Sequence, residues 1–339
     1  MTVASAETCW TALMVASERR DDDVSEHADQ LPLPHAGVPS DQSVRQAASS
    51  LLRALRPKQW VKNVLVAAAP LAGGSLFTWP TLPKIALAFV AFCLASSAGY
   101  LINDLFDVSS DRLHPTKRNR PIAAGEVSIR TAIIAAVVLA VLSLAVSLLA
   151  NPVLLLVVAI YLAVTASYSL GLKNQPVFDL AIVTSGFLLR AVAGGAAADV
   201  PLSRWFLLVT SFGSLFMVAG KRYADATRLS DGPTEVPNAN FSDRSGKPMY
   251  SASYLRFVFS VAAGSSIVFY ALWSVVVGQH EQVWAQISVA PFVLAILRYA
   301  VDVDQGRAGA PEDVVFRDRG LQLVGLVWLV TFVIAAHGG

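Results

Sequence analysis

The stretch "GYLINDLFDVSSDRLHPTKRNRPIAAG", residues 99–125, begins at the end of a long apolar run and then places opposite charges side by side. Three acidic residues are followed by three basic ones: Asp104, Asp107, Asp111, Lys117, Arg118 and Arg120. Charge at the edge of an apolar segment is costly and more often has a function than charge on an ordinary surface. The composition of the surrounding chain indicates which class of protein carries it.

The chain of 339 residues is 55% hydrophobic and only 15% charged, whereas roughly a quarter of the residues of a soluble domain are charged. The apolar residues form runs long enough to cross a bilayer, for which about 20 residues are needed. Helices satisfy their own backbone in lipid, and the strands of a membrane barrel would be shorter and would alternate. The composition therefore predicts an all-α polytopic membrane protein, with membrane lipids around it and no nucleic-acid partner.

The apolar runs predict nine transmembrane helices, and a different kind of segment precedes them. Residues 1–44 are polar and without a period, which predicts a disordered cytosolic tail; residues 45–339 form the transmembrane domain. The predicted spans are Val61–Phe77, Lys84–Ile102, Thr131–Leu149, Val153–Leu170, Val177–Ala197, Trp205–Gly220, Phe257–Val277, Val283–Leu297 and Leu321–Ala336.

Lysine and arginine are concentrated on one side of these spans. That side carries the segment before the first span and the loops after the second, fourth, sixth and eighth, whereas the opposite side carries Lys84 and Arg204. The positive-inside rule therefore predicts a cytosolic N-terminus. Most acidic residues of the membrane domain fall on the same side. The positive-inside rule does not explain this bias, whereas an active site on that side does. We expect a plasma-membrane protein whose active site faces the cytosol.

Asn103, Asp107 and Asp111 recur every four residues, so on a continuous helix their side chains share one face. Carboxylates on one face repel each other unless a cation lies between them. Oxygen ligands at this spacing suit Mg²⁺, which takes one or two carboxylates together with substrate phosphates. The alternative is that these acids form a solvated helix end whose charge is balanced by nearby basic residues. The adjoining apolar span favours the metal site, because acids beside such a span more often have a function. Asp104 lies about 100° off this face.

Residues 103–111, "NDLFDVSSD", resemble the NDxxDxxxD motif of the UbiA superfamily of intramembrane prenyltransferases. Four further stretches, "LRPKQWVKNVLVAAAP", "DRLHPTKRNRPIAAG", "GKRYAD" and "LRYAVDVD", are similar to the branch of that superfamily that transfers phosphoribose to decaprenyl phosphate. The resemblance covers the chain from about Arg53 to the last span. It implies nine helices around a central cavity, loops over the active site on the cytosolic side, and a diphosphate bound through Mg²⁺.

The donor of that branch is phosphoribosyl pyrophosphate and the acceptor is a polyprenyl phosphate. The resemblance implies transfer of 5-phosphoribose with inversion at C1 and release of pyrophosphate, in the pathway to cell-wall arabinan. Cations must hold the phosphates that the metal does not hold. The residues implied as catalytic are Asn103, Asp104, Asp107, Asp111 and Lys173. Those implied as substrate-binding are Arg56, Lys58, Lys62, Asn63, Lys117, Arg118, Arg120, Tyr168, Asp179, Arg190, Lys221, Arg222 and Asp225.

Two of these residues carry further expectations. Asp225 stands where the branch usually has a glutamate, and we predict that it supports a metal held mainly by Asn103, Asp107 and Asp111. Arg190 lies eleven residues after Asp179 and on nearly the same helix face. It either lines the cavity or makes a structural contact with Asp179 or with a polar residue of another span.

Two other functions remain open at this point, and so does a homo-oligomeric state. An aromatic prenyltransferase of the same superfamily would use a polyprenyl diphosphate as its donor and would need fewer phosphate-binding cations. A membrane transporter would show inverted repeats and broken helices near the midplane, whereas the charges of this chain cluster at one face. The basic stretches therefore favour the phosphoribose reaction.

Overall fold

The computed structural model describes residues 41–230, 249–276, 282–306, 314–315 and 317–337, and every regular element in these ranges is helical. The α-helices are α1 (Asp41–Ala54), α2 (Ala68–Ala72), α3 (Thr81–Phe106), α4 (Val108–Leu113), α5 (Ile129–Ala150), α6 (Pro152–Ser169), α7 (Phe178–Ala198), α8 (Arg204–Ser230), α9 (Ala252–Val276), α10 (Gln282–Asp304) and α11 (Arg319–His337). Three 3₁₀ helices accompany them: η1 (Pro57–Ala67), η2 (Lys117–Asn119) and η3 (Leu172–Asn174).

Seven helices of the described ranges are long and apolar enough to cross a membrane, namely α3, α5, α6, α7, α9, α10 and α11. The prediction of an all-helical, multi-pass membrane protein is therefore confirmed. The count of nine is not confirmed. The sixth predicted span corresponds to α8, whose polar and small residues between positions 210 and 214 lower its hydropathy. Most of the predicted tail, residues 1–40, lies outside the described residues, and residues 41–44 belong to α1.

The first predicted span is built differently from the others. It consists of η1, the short helix α2 and a turn at Gly73 and Gly74, instead of one α-helix. η1 approaches α7 so closely that a Cβ at Gly194 would lie 1.8 Å from the carbonyl oxygen of Val66. A backbone atom cannot rotate away as a side chain does, so this approach requires glycine.

Gly194→Ala is therefore expected to separate η1 from α7 and to lower the free energy of unfolding by at least about 2 kcal/mol. The measurement is thermal unfolding of the purified protein in detergent. Gly264→Ala in α9 is the matched control, because no heavy atom lies within 4 Å of its added Cβ. Equal melting temperatures for the two variants would contradict the close approach.

Polar caps mark where two of the spanning helices begin. Asn151 precedes Pro152 at the start of α6, and its side chain accepts a hydrogen bond from the N–H of Leu154 at 2.8 Å. Ser128 accepts in the same way from the N–H of Thr131 at 3.1 Å, at the start of α5. These side chains satisfy donors that have no partner inside the helix.

Buried apolar side chains form three clusters. One joins α8, α9 and α10, where Phe216 stacks on Phe259 with ring centroids 4.6 Å apart. A second lies around Phe92 and joins η1, α3, α6 and α7. The third packs the end of α1 and residues 122–127 against α3 and α5 around Leu101. The second and third clusters fix the two sides of α3, and the acidic stretch lies at the end of this helix.

Candidate active site

The acidic stretch does not lie on one continuous helix. α3 ends at Phe106, α4 begins at Val108, and Asp107 between them has φ −97° and ψ 0°. The Asp107 N–H still donates to the Asn103 carbonyl at 3.0 Å and the Asp111 N–H to the Asp107 carbonyl at 2.8 Å, so the shared face of Asn103, Asp107 and Asp111 stays a prediction. The Asp111 side chain is 1% exposed and not on the wall of the cavity that Asp107 lines, and it accepts a hydrogen bond from Arg120 Nη1 at 2.7 Å.

Asn103 and Asp107 lie on the wall of a cavity of about 680 Å³. Asn103 Nδ2 donates to Asp107 Oδ2 at 3.1 Å, and the other carboxylate oxygen of Asp107 pairs with Lys173. Asn103 Oδ1 is buried and has no hydrogen-bond partner. Mg²⁺ binds hard oxygen ligands, and both an amide oxygen that lacks a hydrogen-bond donor and a neighbouring carboxylate are ligands of this type. These two residues therefore fit a divalent metal.

The protein provides few ligands for such a metal. Among the described residues, no group of three or more His, Cys, Asp or Glu side chains is placed to hold an ion. Mg²⁺ is often bound through one or two carboxylates, with substrate phosphates and waters completing its coordination. Asn103 and Asp107 fit this mode of binding, in which the substrate and water supply the remaining ligands.

Asp104, which lies off the predicted face, is the centre of a network of charges. Its side chain is 2% exposed and accepts from Arg56 Nη2 at 2.6 and 2.8 Å and from Arg120 Nη1 at 3.1 Å. Arg120 Nη1 also contacts Asp111, so two arginines and two aspartates are joined. Arg56 has a left-handed backbone with φ 55°, and its guanidinium lies 5.0 Å from the centre of the Tyr100 ring. These contacts fix the direction of the Arg56 guanidinium.

The cavity is strongly basic. Among the described residues, one acidic and five basic side chains line it: Asp107, Arg56, Lys62, Lys173, Arg190 and Lys221. Cations that converge in a partly enclosed space attract and hold polyanions such as phosphates. The wall residues come from η1, α3, α4, α6, η3, α7 and α8, together with the chain next to them.

The other predicted site residues are not on the cavity wall, and they are Lys58, Asn63, Asp104, Asp111, Lys117, Arg118, Arg120, Asp179, Arg222 and Asp225. Lys58 and Arg118 are exposed, and Asp225 is half-buried one turn beyond Lys221 on α8.

Two of these residues have shifted pKa values. Burial, and then repulsion from Arg120, lowers the pKa of Lys117 to about 8. Burial raises the pKa of Asp111, although Arg120 opposes this shift.

Arg190 lines the cavity and also makes structural contacts. Its Nε donates to Asn63 Oδ1 at 2.7 Å, its Nη1 to the Gly186 carbonyl at 2.6 Å, and its Nη2 to the Tyr161 hydroxyl at 3.0 Å. Of the alternatives left open by the sequence, the structure shows a cavity-lining arginine that contacts polar residues of other elements. Asp179 instead pairs with Arg222.

The pair of Asp179 and Arg222 is buried where α7 begins, and it lies behind the cavity wall. Arg222 Nη2 donates to Asp179 Oδ1 at 2.7 Å, and the Tyr168 hydroxyl donates to the same oxygen at 3.2 Å. Tyr168 lines the cavity. This pair therefore fixes a side chain of the wall and binds α7 to α8.

Tyr161 is a wall residue that the sequence analysis missed. It contacts Arg190 and precedes Tyr168, which is also on the wall, by seven residues. Seven residues are close to two helical turns, so both tyrosines point to one face of α6. Two tyrosines at this spacing in an apolar run were the signal that could have identified Tyr161.

Comparisons with known proteins agree with the fold and the motifs. Residues 63–319 match the UbiA prenyltransferase family. A Mycobacterium tuberculosis protein named decaprenyl-phosphate phosphoribosyltransferase is 49% identical over 287 residues, which cover 84% of this chain and 93% of that protein. A Corynebacterium glutamicum protein of the same name is 46% identical over 315 residues, which cover 90% and 93%.

Solved structures show the same fold at low sequence identity. A UbiA homologue from Archaeoglobus fulgidus, bound to DMAPP and Mg²⁺, superposes with a TM-score of 0.65. It is 17% identical and covers 85% of this chain and 99% of its own. The match over residues 63–319 and the identity to both named relatives extend over most of the chain. This chain therefore belongs to the UbiA prenyltransferase family.

Proposed function

We propose that the chain transfers 5-phosphoribose from phosphoribosyl pyrophosphate to decaprenyl phosphate or a similar polyprenyl phosphate, with release of pyrophosphate. The observation that carries this proposal is a membrane-protein cavity in which one carboxylate, Asp107, lies among five cations. A reaction that brings together a diphosphate, a sugar phosphate and a lipid phosphate needs this excess of positive charge. The two relatives named decaprenyl-phosphate phosphoribosyltransferase support the same substrates.

Asn103 Oδ1 and Asp107 would hold Mg²⁺ together with the diphosphate of the donor, and Asp225 would support this site through water. When bound, the metal would neutralise charge that develops on the leaving diphosphate. Lys173, Lys62 and Lys221 supply direct cations for the remaining phosphates. Arg56, with its guanidinium fixed by Asp104, adds a fourth charge in a defined direction.

The reaction breaks the bond between C1 of ribose and the diphosphate oxygen. An oxygen of the lipid phosphate attacks C1 from the opposite face, which inverts the configuration, and pyrophosphate leaves. The attacking phosphate is already anionic at neutral pH, so no strong general base is required. This agrees with the lining of the cavity, which has no His or Cys among the described residues. Catalysis then rests on positioning and on electrostatic stabilisation.

The distribution of lysine and arginine supports an orientation with this cavity at the cytosolic side, and we place the protein in the plasma membrane. The C-terminal end of α3 and the N-terminal end of α7, which carry Asp107 and Asp179, would face the cytosol. Lys84 and Asp199, at the other ends of the same helices, form an ion pair at 2.5 Å and would lie at the outer side. The proposed product is a lipid-linked phosphoribose for cell-wall arabinan.

The test is a transfer assay with the purified protein in detergent, Mg²⁺ and labelled phosphoribosyl pyrophosphate. Decaprenyl phosphate and 4-hydroxybenzoate are offered as acceptors in separate reactions. We expect label in the lipid fraction only with decaprenyl phosphate, loss of transfer with EDTA, and recovery when Mg²⁺ is restored. Prenylation of 4-hydroxybenzoate from a polyprenyl diphosphate, without phosphoribose transfer, would assign the function to an aromatic prenyltransferase instead.

A further inference from the structure

The segment that carries Lys173 lies between two residues with positive φ. Gly171 precedes it with φ 139°, and Val177 follows it with φ 70°. Glycine adopts such a conformation without steric cost. For a β-branched residue such as valine, a positive φ is a true outlier. The end of the segment at Val177 is therefore strained.

Residues 176–178 form a tight turn. The N–H of Phe178 donates to the carbonyl of Pro176 at 2.8 Å, and Val177 between them has ψ −48°. A three-residue turn with these angles is the rare and strained form of the γ-turn. Such strain persists only where the surrounding structure holds it. A contact that holds this turn should therefore be present.

Tyr250 makes such a contact from a distant part of the chain. Its hydroxyl oxygen accepts a hydrogen bond from the N–H of Val177 at 2.7 Å, across 73 residues of sequence. Tyr250 is 8% exposed, and its ring stacks on Tyr254 at an interplanar angle of 3°. Burial raises the pKa of the Tyr250 hydroxyl, and its oxygen can accept the Val177 N–H in either protonation state. The contact therefore does not depend on titration of the phenol.

We propose that Tyr250 is a positioning residue for Lys173. By accepting the Val177 N–H, it holds the strained turn and thereby the orientation of η3, from which the Lys173 ammonium reaches Asp107. The inference rests on the proposed function, because Lys173 is assigned there to the phosphates of the donor. Without the Tyr250 hydroxyl, the turn relaxes and Lys173 no longer meets the diphosphate in a fixed place.

The first test compares Tyr250→Phe with Tyr254→Phe in the transfer assay. Tyr250→Phe keeps the stacked ring and removes only the hydrogen-bond acceptor. We expect it to raise the KM for phosphoribosyl pyrophosphate about five- to tenfold, whereas Tyr254→Phe leaves KM unchanged. In a Lys173→Ala background, Tyr250→Phe should have no further effect. An equal effect of Tyr250→Phe with and without Lys173 would overturn the proposal.

Relief of the strain provides a rescue. Val177→Gly makes the positive φ inexpensive, so the double variant Tyr250→Phe/Val177→Gly should recover most of the wild-type KM. Failure of Val177→Gly to improve the Tyr250→Phe variant would count against a role of the turn.

A second readout does not depend on the reaction. Amide hydrogen exchange of the segment 171–178 should be slow in the wild-type protein and faster in Tyr250→Phe, with other segments unchanged. Rapid exchange of this segment in the wild type would overturn the proposal even if transfer occurs. If the wild type fails to transfer phosphoribose while exchange behaves as expected, the proposed function fails and the contact of Tyr250 with the turn stands.

Discussion

Asp107→Asn is expected to lower kcat/KM for phosphoribose transfer by roughly a thousandfold, at the upper end of what one electrostatic group contributes in an active site. Asp107 is the only carboxylate on the wall of the described cavity, and it lies beside the orphaned oxygen of Asn103. The substitution keeps the size of the side chain and removes its charge. It therefore weakens the metal site and also releases Lys173 from its ion pair.

The matched control is Asp199→Asn, which removes an aspartate at the C-terminal end of α7, away from the cavity wall. Asp199 is exposed and pairs with Lys84 outside the cavity. Asparagine also tolerates its left-handed backbone, with φ 57°. We expect wild-type transfer and an unchanged melting temperature. A rate for Asp107→Asn close to that of this control would exclude Asp107 from the metal site.

Asp104→Ala is expected to destabilise the protein strongly. Removal of the buried carboxylate leaves Arg56 and Arg120 without their shared acceptor. Breaking a fully buried pair costs about 3–5 kcal/mol. Because Arg56 and Arg120 are 29% and 22% exposed and can regain water, we expect a loss of about 2–3 kcal/mol in the free energy of unfolding.

The control for stability is Glu126→Ala, which breaks the exposed ion pair with Arg53. Such surface pairs contribute about 0–1 kcal/mol, so the free energy of unfolding of this variant should be nearly unchanged.

Asp104→Asn distinguishes a role of Asp104 in holding Arg56 from a role in binding the metal. It should raise the KM for phosphoribosyl pyrophosphate through Arg56 and leave the Mg²⁺ concentration for half-maximal activity as it is. A raised Mg²⁺ requirement in Asp104→Asn would make Asp104 a metal ligand.

Part of the site follows directly from the sequence, because it depends on local periodicity. Asn103 and Asp107 are one helical turn apart at the end of an apolar helix, and the structure places both on the cavity wall. The membrane class follows from composition in the same way. Arg56, Lys62 and Lys221 lie in the quoted motifs and also reach the wall.

Other parts depend on long-range packing, which periodicity does not predict. Asp111 continues the four-residue spacing, but the loop that carries Arg120 returns to pair with it, and the buried carboxylate is not on the cavity wall. Arg222 belongs to a basic motif, and its guanidinium instead meets Asp179, 43 residues away in sequence. In both cases a charge that a local pattern assigns to the metal or to the substrate has a partner inside the protein.

The first span shows the same limit for secondary structure. Its apolar run predicts a helix over Val61–Phe77, and the chain forms η1 and α2 instead. η1 lies against Gly194, a residue far along the sequence, and its buried Asn63 contacts Arg190. These contacts outweigh the local preference, and the segment places Arg56 and Lys62 on the cavity wall.

The central claim, that this cavity transfers phosphoribose through C1, is tested most directly by phosphoribosyl pyrophosphate that carries one label in the ribose and another in the diphosphate. The purified protein is incubated with this donor, Mg²⁺ and decaprenyl phosphate, and the lipid and aqueous phases are counted separately. We predict the ribose label in the lipid phase and the diphosphate label in water as pyrophosphate. Both labels in the lipid phase, or neither, would contradict the claim.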